Sequence, residues 1–364
     1  MRKILLVAAT RPNFIKIAPL YLCLKDQDWC DVKLVYLAQH PPGPMTTEIA
    51  ASLGIASFDK EILVEDTRSP MHRLGVLAET FAEYLSEEKP DIVVVPGDVD
   101  ASLAATIATK RAGIAVAHLE AGLRSFDASM PEELNRVLID SIADLHLTPS
   151  KAAWDNLVYG EGRSIETVHF VGNIMIDTLR SIHDPSYHPQ VLAESGLERF
   201  ILCTFHRPAN VDAPDALDRL AAMLGQLTSH HPVLFPMHPR TRQSIETHGR
   251  GAAFFDRPDL HICDPIAYID FIHLIGLSQC VVTDSGGVQE EAAFLKRHCF
   301  TFRNNTERPQ TVECGSNHLI SDADYAPIIA KVTGRPHTII RDIPLWDGLT
   351  SERVASALRL HPLS

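Results

Sequence analysis

Acidic, basic and glycine-bearing residues recur in this chain directly after short apolar runs, and their types suit proton transfer beside a bound anion. In the first half PGDVDAS carries Asp98, HLEAGLRSF carries Glu120, and MPEELNR carries Glu132 and Arg136. Two carboxylates at neighbouring strand ends are what general acid–base work needs, because an apolar sheet edge can raise a carboxyl pKa toward the working range. Arg11 and Lys16, in ATRPNFIKIAPL, stand about one helical turn apart near a helix start. Cations there are disfavoured by the positive helix end unless an anion binds, so the pair points to an anionic ligand. Blander readings stay open: Asp98 suits a helix N-cap, and Glu132 with Arg136 suits an i,i+4 ion pair.

The second half supplies the anion side. CTFHRPAN and FPMHPRTR place His206 and His238 directly after apolar runs, each with an arginine beside or near it. Such a pair fits a phosphate or a uracil and ribose pocket. In VVTDSGGVQEEA, Ser285 has glycines after it but none before it, so it is no Gly-x-Ser-x-Gly nucleophile. Ser285, Gly286 and Gly287 at a helix start present bare N–H groups and a hydroxyl to an anion instead. Glu290 and Glu291 fall in the first turn or so, and one of them suits ribose hydroxyls. The histidines lack His-x-x-x-His spacing and the seven cysteines form no Cys-x-x-Cys pair, which gives a metal site no support. Neither a Gly-x-Gly-x-x-Gly nor a Walker loop is present, which weakens NAD and ATP.

The elements that must position these residues read as strands alternating with helices. KILLVAA, VKLVYLA, DIVVVPG, IAVAHLE, DLHLTPS and TVHFVG form one series, and RFILCTF, PVLFPMH, LHICDP, CVVTDS and HCFTFR a second. Continuous apolar strands between helical segments require a parallel sheet covered on both faces. MHRLGVLAETFAEYLSEE places Leu74, Leu77, Phe81 and Leu85 on one helical stripe. The fold class is α/β, two Rossmann-like doubly wound parallel-sheet domains with a cleft between them. We expect residues 1–175 as the N-terminal domain with the acid–base residues, 176–345 as the C-terminal domain, and 346–364 as a helix packing back on the first. Ligands of such sheets bind at the carboxyl ends of the strands, where the residues above stand.

The chain has 364 residues, enough for two domains, and a formal net charge of −13, which works against nucleic acid and anionic membranes as partners. An anion site must therefore come from a few placed cations and backbone amides. No run approaches the ~18 apolar residues of a membrane span, and MRKILLVAATRP reads as a first strand and not as a secretory leader. The expected location is the cytoplasm, with reduced thiols.

In order and spacing, TRPNFIKIAPL, AQH, PGD, HLEAGLRSFDASMPEELNR, VGN, FHR, MHPRTR, TDSGGVQEEA, NNTERPQTVECGSN and LWDG resemble the UDP-N-acetylglucosamine 2-epimerase family of the type that keeps UDP on its product. The resemblance implies a glycosyltransferase-B-like pair of Rossmann domains. It also implies interconversion of UDP-GlcNAc and UDP-ManNAc by elimination of UDP to a 2-acetamidoglucal and re-addition, for surface polysaccharide precursors. By that match Asp98, Glu120 and Glu132 are the acid–base candidates, joined by His206 and Lys16. Arg11, Arg136, His238, Ser285, Gly286, Gly287, Glu291 and Arg308 would hold the UDP-sugar, with Glu291 on the ribose. Gln39 and His40 match a second, activating UDP-sugar site, although AQHPPGPM departs from the family there. Elimination needs neither metal nor nicotinamide, so no cofactor is expected, and the family suggests a homodimer. A modified UDP-sugar such as a diacetamido-uronic acid, hydrolytic release of ManNAc and UDP, and a UDP-sugar glycosyltransferase are the alternatives.

Overall fold

The computed structural model describes residues 1–38, 50–64, 68–320, 325–334 and 338–362. The chain divides into two compact units, residues 1–181 with 344–364, and residues 182–343.

The first unit is built on seven strands: β1 (Arg2–Ala8), β2 (Cys30–Ala38), β3 (Lys60–Leu63), β4 (Ile92–Pro96), β5 (Ala115–Leu119), β6 (Leu145–Thr148) and β7 (Val168–Phe170). They lie in the order β3-β2-β1-β4-β5-β6-β7, and every neighbouring pair is parallel. Within β1 both the odd and the even residues, Leu5 and Val7 as well as Ile4 and Leu6, are buried. Both faces of the sheet are therefore covered, which is why the strands read as unbroken apolar runs. On one face Leu77, Phe81 and Leu85 of the helix Pro70–Glu88 join β1, β2 and β4 in one core, with Leu74 partly buried at its rim. The helix Arg11–Lys25 buries Phe14, Ile17 and Leu20 and also packs against the terminal helix Thr350–Leu360. Arg2 donates to the Leu358 and His361 carbonyls, and Asp177 accepts from the Thr350 and Ser351 amides at 3.0 and 2.7 Å. These bonds fasten the end of the chain to the unit that holds its beginning.

The second unit repeats the plan with β8 (Ile201–Thr204), β9 (Val233–Pro236), β10 (Leu260–Cys263), β11 (Cys280–Thr283), β12 (Cys299–Thr301) and β13 (Asn317–Leu319). Their order is β10-β9-β8-β11-β12-β13, all parallel. In each sheet the order reverses once, between β1 and β4 and between β8 and β11. Chains leaving such neighbours go to opposite faces and leave a crevice at the carboxyl ends, where ligands of this architecture sit. Among the described residues no helix is long and apolar enough to cross a membrane.

Candidate active site

At the reversal point of the first unit, three strand ends are tied together. Asn13, 2% exposed, accepts from the amides of Ala9 and Thr10 after β1 and donates to the Pro96 carbonyl at the end of β4. Ser102 donates to the same carbonyl at 2.7 Å. Gly97 then turns the chain with φ +61°, a conformation open to glycine at little cost, and its N–H reaches the Leu119 carbonyl of β5 at 2.9 Å. A Cβ on Gly97 would lie 3.1 Å from Lys16 Nζ and 3.8 Å from Glu120 Oε2.

Those two groups form the centre of the cluster. Lys16 Nζ is 2.5 Å from Glu120 Oε2, and both side chains are largely buried. Glu120 takes φ 72°, which is strained for a residue with a side chain, and strain of this kind collects at functional sites. Asp98 makes a second pair, 2.6 Å from Arg136, whose guanidinium also lies 3.3 Å from Glu133. Asn135 fixes the Asp98 loop by donating to the Asp98 carbonyl and to the Asp100 carboxylate. Asp98 and Glu132 share the wall of a cavity of about 440 Å³, lined on its apolar side by Tyr36, Leu77 and Val99. Two carboxylates, each beside a cation, stand after adjacent strands, an arrangement fit for moving protons and balancing negative charge.

The second unit gathers groups for an anion. Ser285 is the N-cap of the helix Gly286–Phe294, yet its hydroxyl makes no capping hydrogen bond, which leaves it available to a ligand together with the first amides of the helix. Arg308 closes over the first turn of that helix: a Cβ on Gly286 would meet its guanidinium at 2.9 Å. Arg308 pairs with Glu290 at 2.9 Å, and Arg303 holds Glu307 through two hydrogen bonds of 3.0 and 2.7 Å. Burial raises the Glu307 carboxyl but Arg303 and Arg308 outweigh it and hold the group at about 2. Burial, then Arg303, lowers the Arg207 pKa, a setting in which an anion among these guanidinium groups would be welcomed. Gln289, fully buried, bonds Thr306 and Asn317 and so anchors the loop that carries Arg308.

His206 and His238 converge with ring centres 5.5 Å apart. The buried Asp284 carboxylate accepts from the amides of His206 and Arg207 and from Asn210, and lies 3.3 Å from His206 Nδ1. His238 caps the helix Pro239–Thr247 by accepting the Arg240 amide at its Nδ1. Burial, the His206 ring and Arg240 hold the His238 imidazole below its ordinary range, so that it is neutral at pH 7 with Nε2–H as a donor.

The UDP-N-acetylglucosamine 2-epimerase family model matches residues 23–359. The chain belongs to that family. A UDP-2,3-diacetamido-2,3-dideoxy-D-glucuronate 2-epimerase of Pseudomonas aeruginosa is 34% identical over 98% of this chain and 99% of its own. A UDP-N-acetylglucosamine 2-epimerase of Methanococcus maripaludis is 33% identical over 88% of each chain. Among solved structures, the UDP-GlcNAc 2-epimerase of Methanocaldococcus jannaschii in complex with UDP-GlcNAc and UDP superposes with a TM-score of 0.84 at 30% identity, covering 99% of this chain and 100% of that one.

Set against the sequence reading of this 2-epimerase family member, the structure brings Lys16, Asp98, Glu120, Glu132 and Arg136 together in the first unit. His206, His238, Ser285, Gly286, Gly287 and Glu291 lie at strand ends or on the adjoining helix of the second, and Arg308 lies in the loop between β12 and the helix Pro309–Glu313. Gln39, His40 and the side chain of Arg11 lie outside the described residues. Several local readings change. Asp98 is not the helix N-cap, because Val99 occupies that position ahead of the helix Asp100–Arg111 and the helix has no side-chain cap there. Arg136 does not pair with the Glu132 carboxylate; it takes Asp98 and Glu133, and its Nε donates to the Glu132 carbonyl. Asp98 and Glu120 stand beside cations and not in a purely apolar setting. Arg240 turns out to Asp212, and Glu290 and Glu291 occupy the second turn of their helix, buried. Arg207, read as the arginine beside His206, does stand among the groups suited to an anion. Asn13, Asp284, Gln289 and Arg303 were given no role, although Asp284 adjoins Ser285.

Proposed function

We propose that this protein is a UDP-N-acetylglucosamine 2-epimerase that interconverts UDP-GlcNAc and UDP-ManNAc. The observation that carries the reading is the placement of two cation-paired carboxylates, Asp98 and Glu120, after adjacent strands β4 and β5 at the sheet's reversal point. One carboxylate takes the C2 proton. The electrons of the C2–H bond form a C1=C2 double bond, and the C1–O bond breaks with its pair leaving on UDP. The resulting 2-acetamidoglucal is protonated at C2 on its opposite face while UDP returns to C1. Glu132, exposed at the wall it shares with Asp98, is the third proton-transfer candidate, and Lys16 steadies charge beside Glu120. His206, with His238 as an Nε2–H donor, and Ser285, Gly286, Gly287 and Arg308 bind the departing diphosphate, and Glu291 takes the ribose. Arg11 and Arg136 complete the charge balance, and Gln39 and His40 belong to an activating site.

The Pseudomonas aeruginosa relative supports the same chemistry on UDP-2,3-diacetamido-2,3-dideoxy-D-glucuronate as a second reading. Further parts of the proposal are cytoplasmic location, supply of surface polysaccharide precursors, and a homodimer. Leu134, Leu138 and Ile142 stand exposed at i, i+4 and i+8 on the helix Pro131–Ile142, an apolar stripe that a second copy would cover.

Incubation with each sugar nucleotide in D2O, followed by NMR at C2, tests the function. Deuterium at C2 with UDP still attached is expected. Free UDP with ManNAc would move the reading to hydrolysis, and no exchange with either sugar would refute it.

A further inference from the structure

Beneath the acid–base residues lies a buried charged frame that the reaction does not touch. Asp140, fully buried in the helix Pro131–Ile142, has one carboxylate oxygen 2.6 Å from His118 Nδ1. Its other oxygen lies 2.8 Å from Arg124 and accepts the Gly122 amide at 3.0 Å. The second nitrogen of His118 lies 3.0 Å from the Gly97 carbonyl. One carboxylate therefore reaches both loops of the proton-transfer cluster, because Gly97 precedes Asp98 and Gly122 follows Glu120 by two residues. Burial pushes the Asp140 carboxyl up, but His118 and Arg124 outweigh it and hold it at about 2, so the frame stays charged.

The backbone around Glu120 is tied on every side. The amides of Glu120 and Ala121 both donate to the Leu147 carbonyl, at 3.1 and 3.2 Å. The Gly122 carbonyl accepts from Asn156 Nδ2 at 2.9 Å, and at φ +81° a Cβ on Gly122 would lie 2.2 Å from the Ala153 carbonyl oxygen. Asn156 opens a π-helical turn, Asn156–Gly160, continuous with the helix Lys151–Asp155, and such widened turns are frequent at functional sites. A left-handed glutamate persists only where its surroundings over-determine it, and these are the bonds that do so.

We propose that Asp140 and Asn156 are positioning residues for the proton-transfer carboxylates, holding Glu120 in its strained conformation against Lys16 and, through His118, fixing the peptide ahead of Asp98. This rests on the epimerase reading above. The test compares Asn156→Ala and Asp140→Asn with the wild-type protein for C2 deuterium exchange, kcat, KM for UDP-GlcNAc and thermal unfolding. The expected result is a roughly 10- to 100-fold loss of kcat and exchange, the loss that a misplacement of up to about 1 Å brings, with KM within about twofold. Asn156 is half-buried, so its variant decides the matter alone if Asp140→Asn does not fold. Folded variants with wild-type exchange, or with only a lowered Tm, overturn the positioning role and leave the function standing. A wild-type protein that exchanges neither sugar overturns the function, and the positioning role falls with it.

Discussion

Gly97→Ala probes the centre of the cluster with a single methyl group. Gly97 has φ +61°, so alanine there adopts a left-handed conformation at a cost of roughly 1–2 kcal/mol. For a unit of this size that corresponds to a Tm lower by about 2–8 °C. The new Cβ lies 3.1 Å from Lys16 Nζ, about 0.3 Å inside ordinary contact, so the ammonium must give way by that amount. The same ammonium is 2.5 Å from Glu120. If a misplacement of 1 Å costs about 100-fold in rate, 0.3 Å costs about fourfold. Differential scanning calorimetry and initial rates of C2 deuterium exchange would read the two effects. A variant with unchanged Tm and unchanged exchange would refute the claim that Gly97, Lys16 and Glu120 form one packed cluster.

Other outcomes follow from the second unit and from the buried acids. Because the Ser285 hydroxyl makes no capping bond, Ser285→Ala should leave Tm unchanged while UDP affinity, measured calorimetrically, falls; a lowered Tm with unchanged affinity would make it a structural cap. Arg308→Ala should weaken UDP binding by roughly 10- to 100-fold, the loss of a hydrogen bond to a charged group, and unchanged affinity would remove Arg308 from the anion site. Asp140 and Glu307 titrate at about 2 in the folded protein against 3.8 and 4.5 as ordinary values. Their stabilisation is present in full above pH ~4.5 and is lost as pH falls toward ~2, Asp140 alone contributing about 2 kcal/mol. Urea unfolding across that window should show the decline, and Glu307→Gln should flatten part of it; a flat profile would contradict the pairing.

Much of the fold was legible because parallel strands buried on both faces must read as apolar runs, and β8 to β12 repeat the pattern of the first series. The edge strands β3 and β13 were not legible. KEIL exposes three of its four residues and NHL is three residues long, so neither leaves an apolar run to find. The candidate site was legible as residue types at strand ends but not as partners. Lys16 meets Glu120 from 104 positions away and Arg136 meets Asp98 across two elements, pairings set by the strand order and invisible to local periodicity. The i,i+4 reading of Glu132 with Arg136 failed because a buried guanidinium takes the carboxylates that surround it, and those are Asp98 and Glu133. Asp284 escaped notice because its role is to receive the amides of residues 206 and 207 from a different loop.

The central claim is that proton transfer belongs to Asp98 and Glu120 while UDP is held by residues of the second unit. The most direct measurement sets C2 deuterium exchange beside UDP affinity in Asp98→Asn and Glu120→Gln. The expected result is exchange lowered by about 100-fold or more, the range of a lost general acid or base, with UDP affinity within a few-fold of wild type. Collapsed UDP affinity in these variants, or exchange that survives in both, would contradict it.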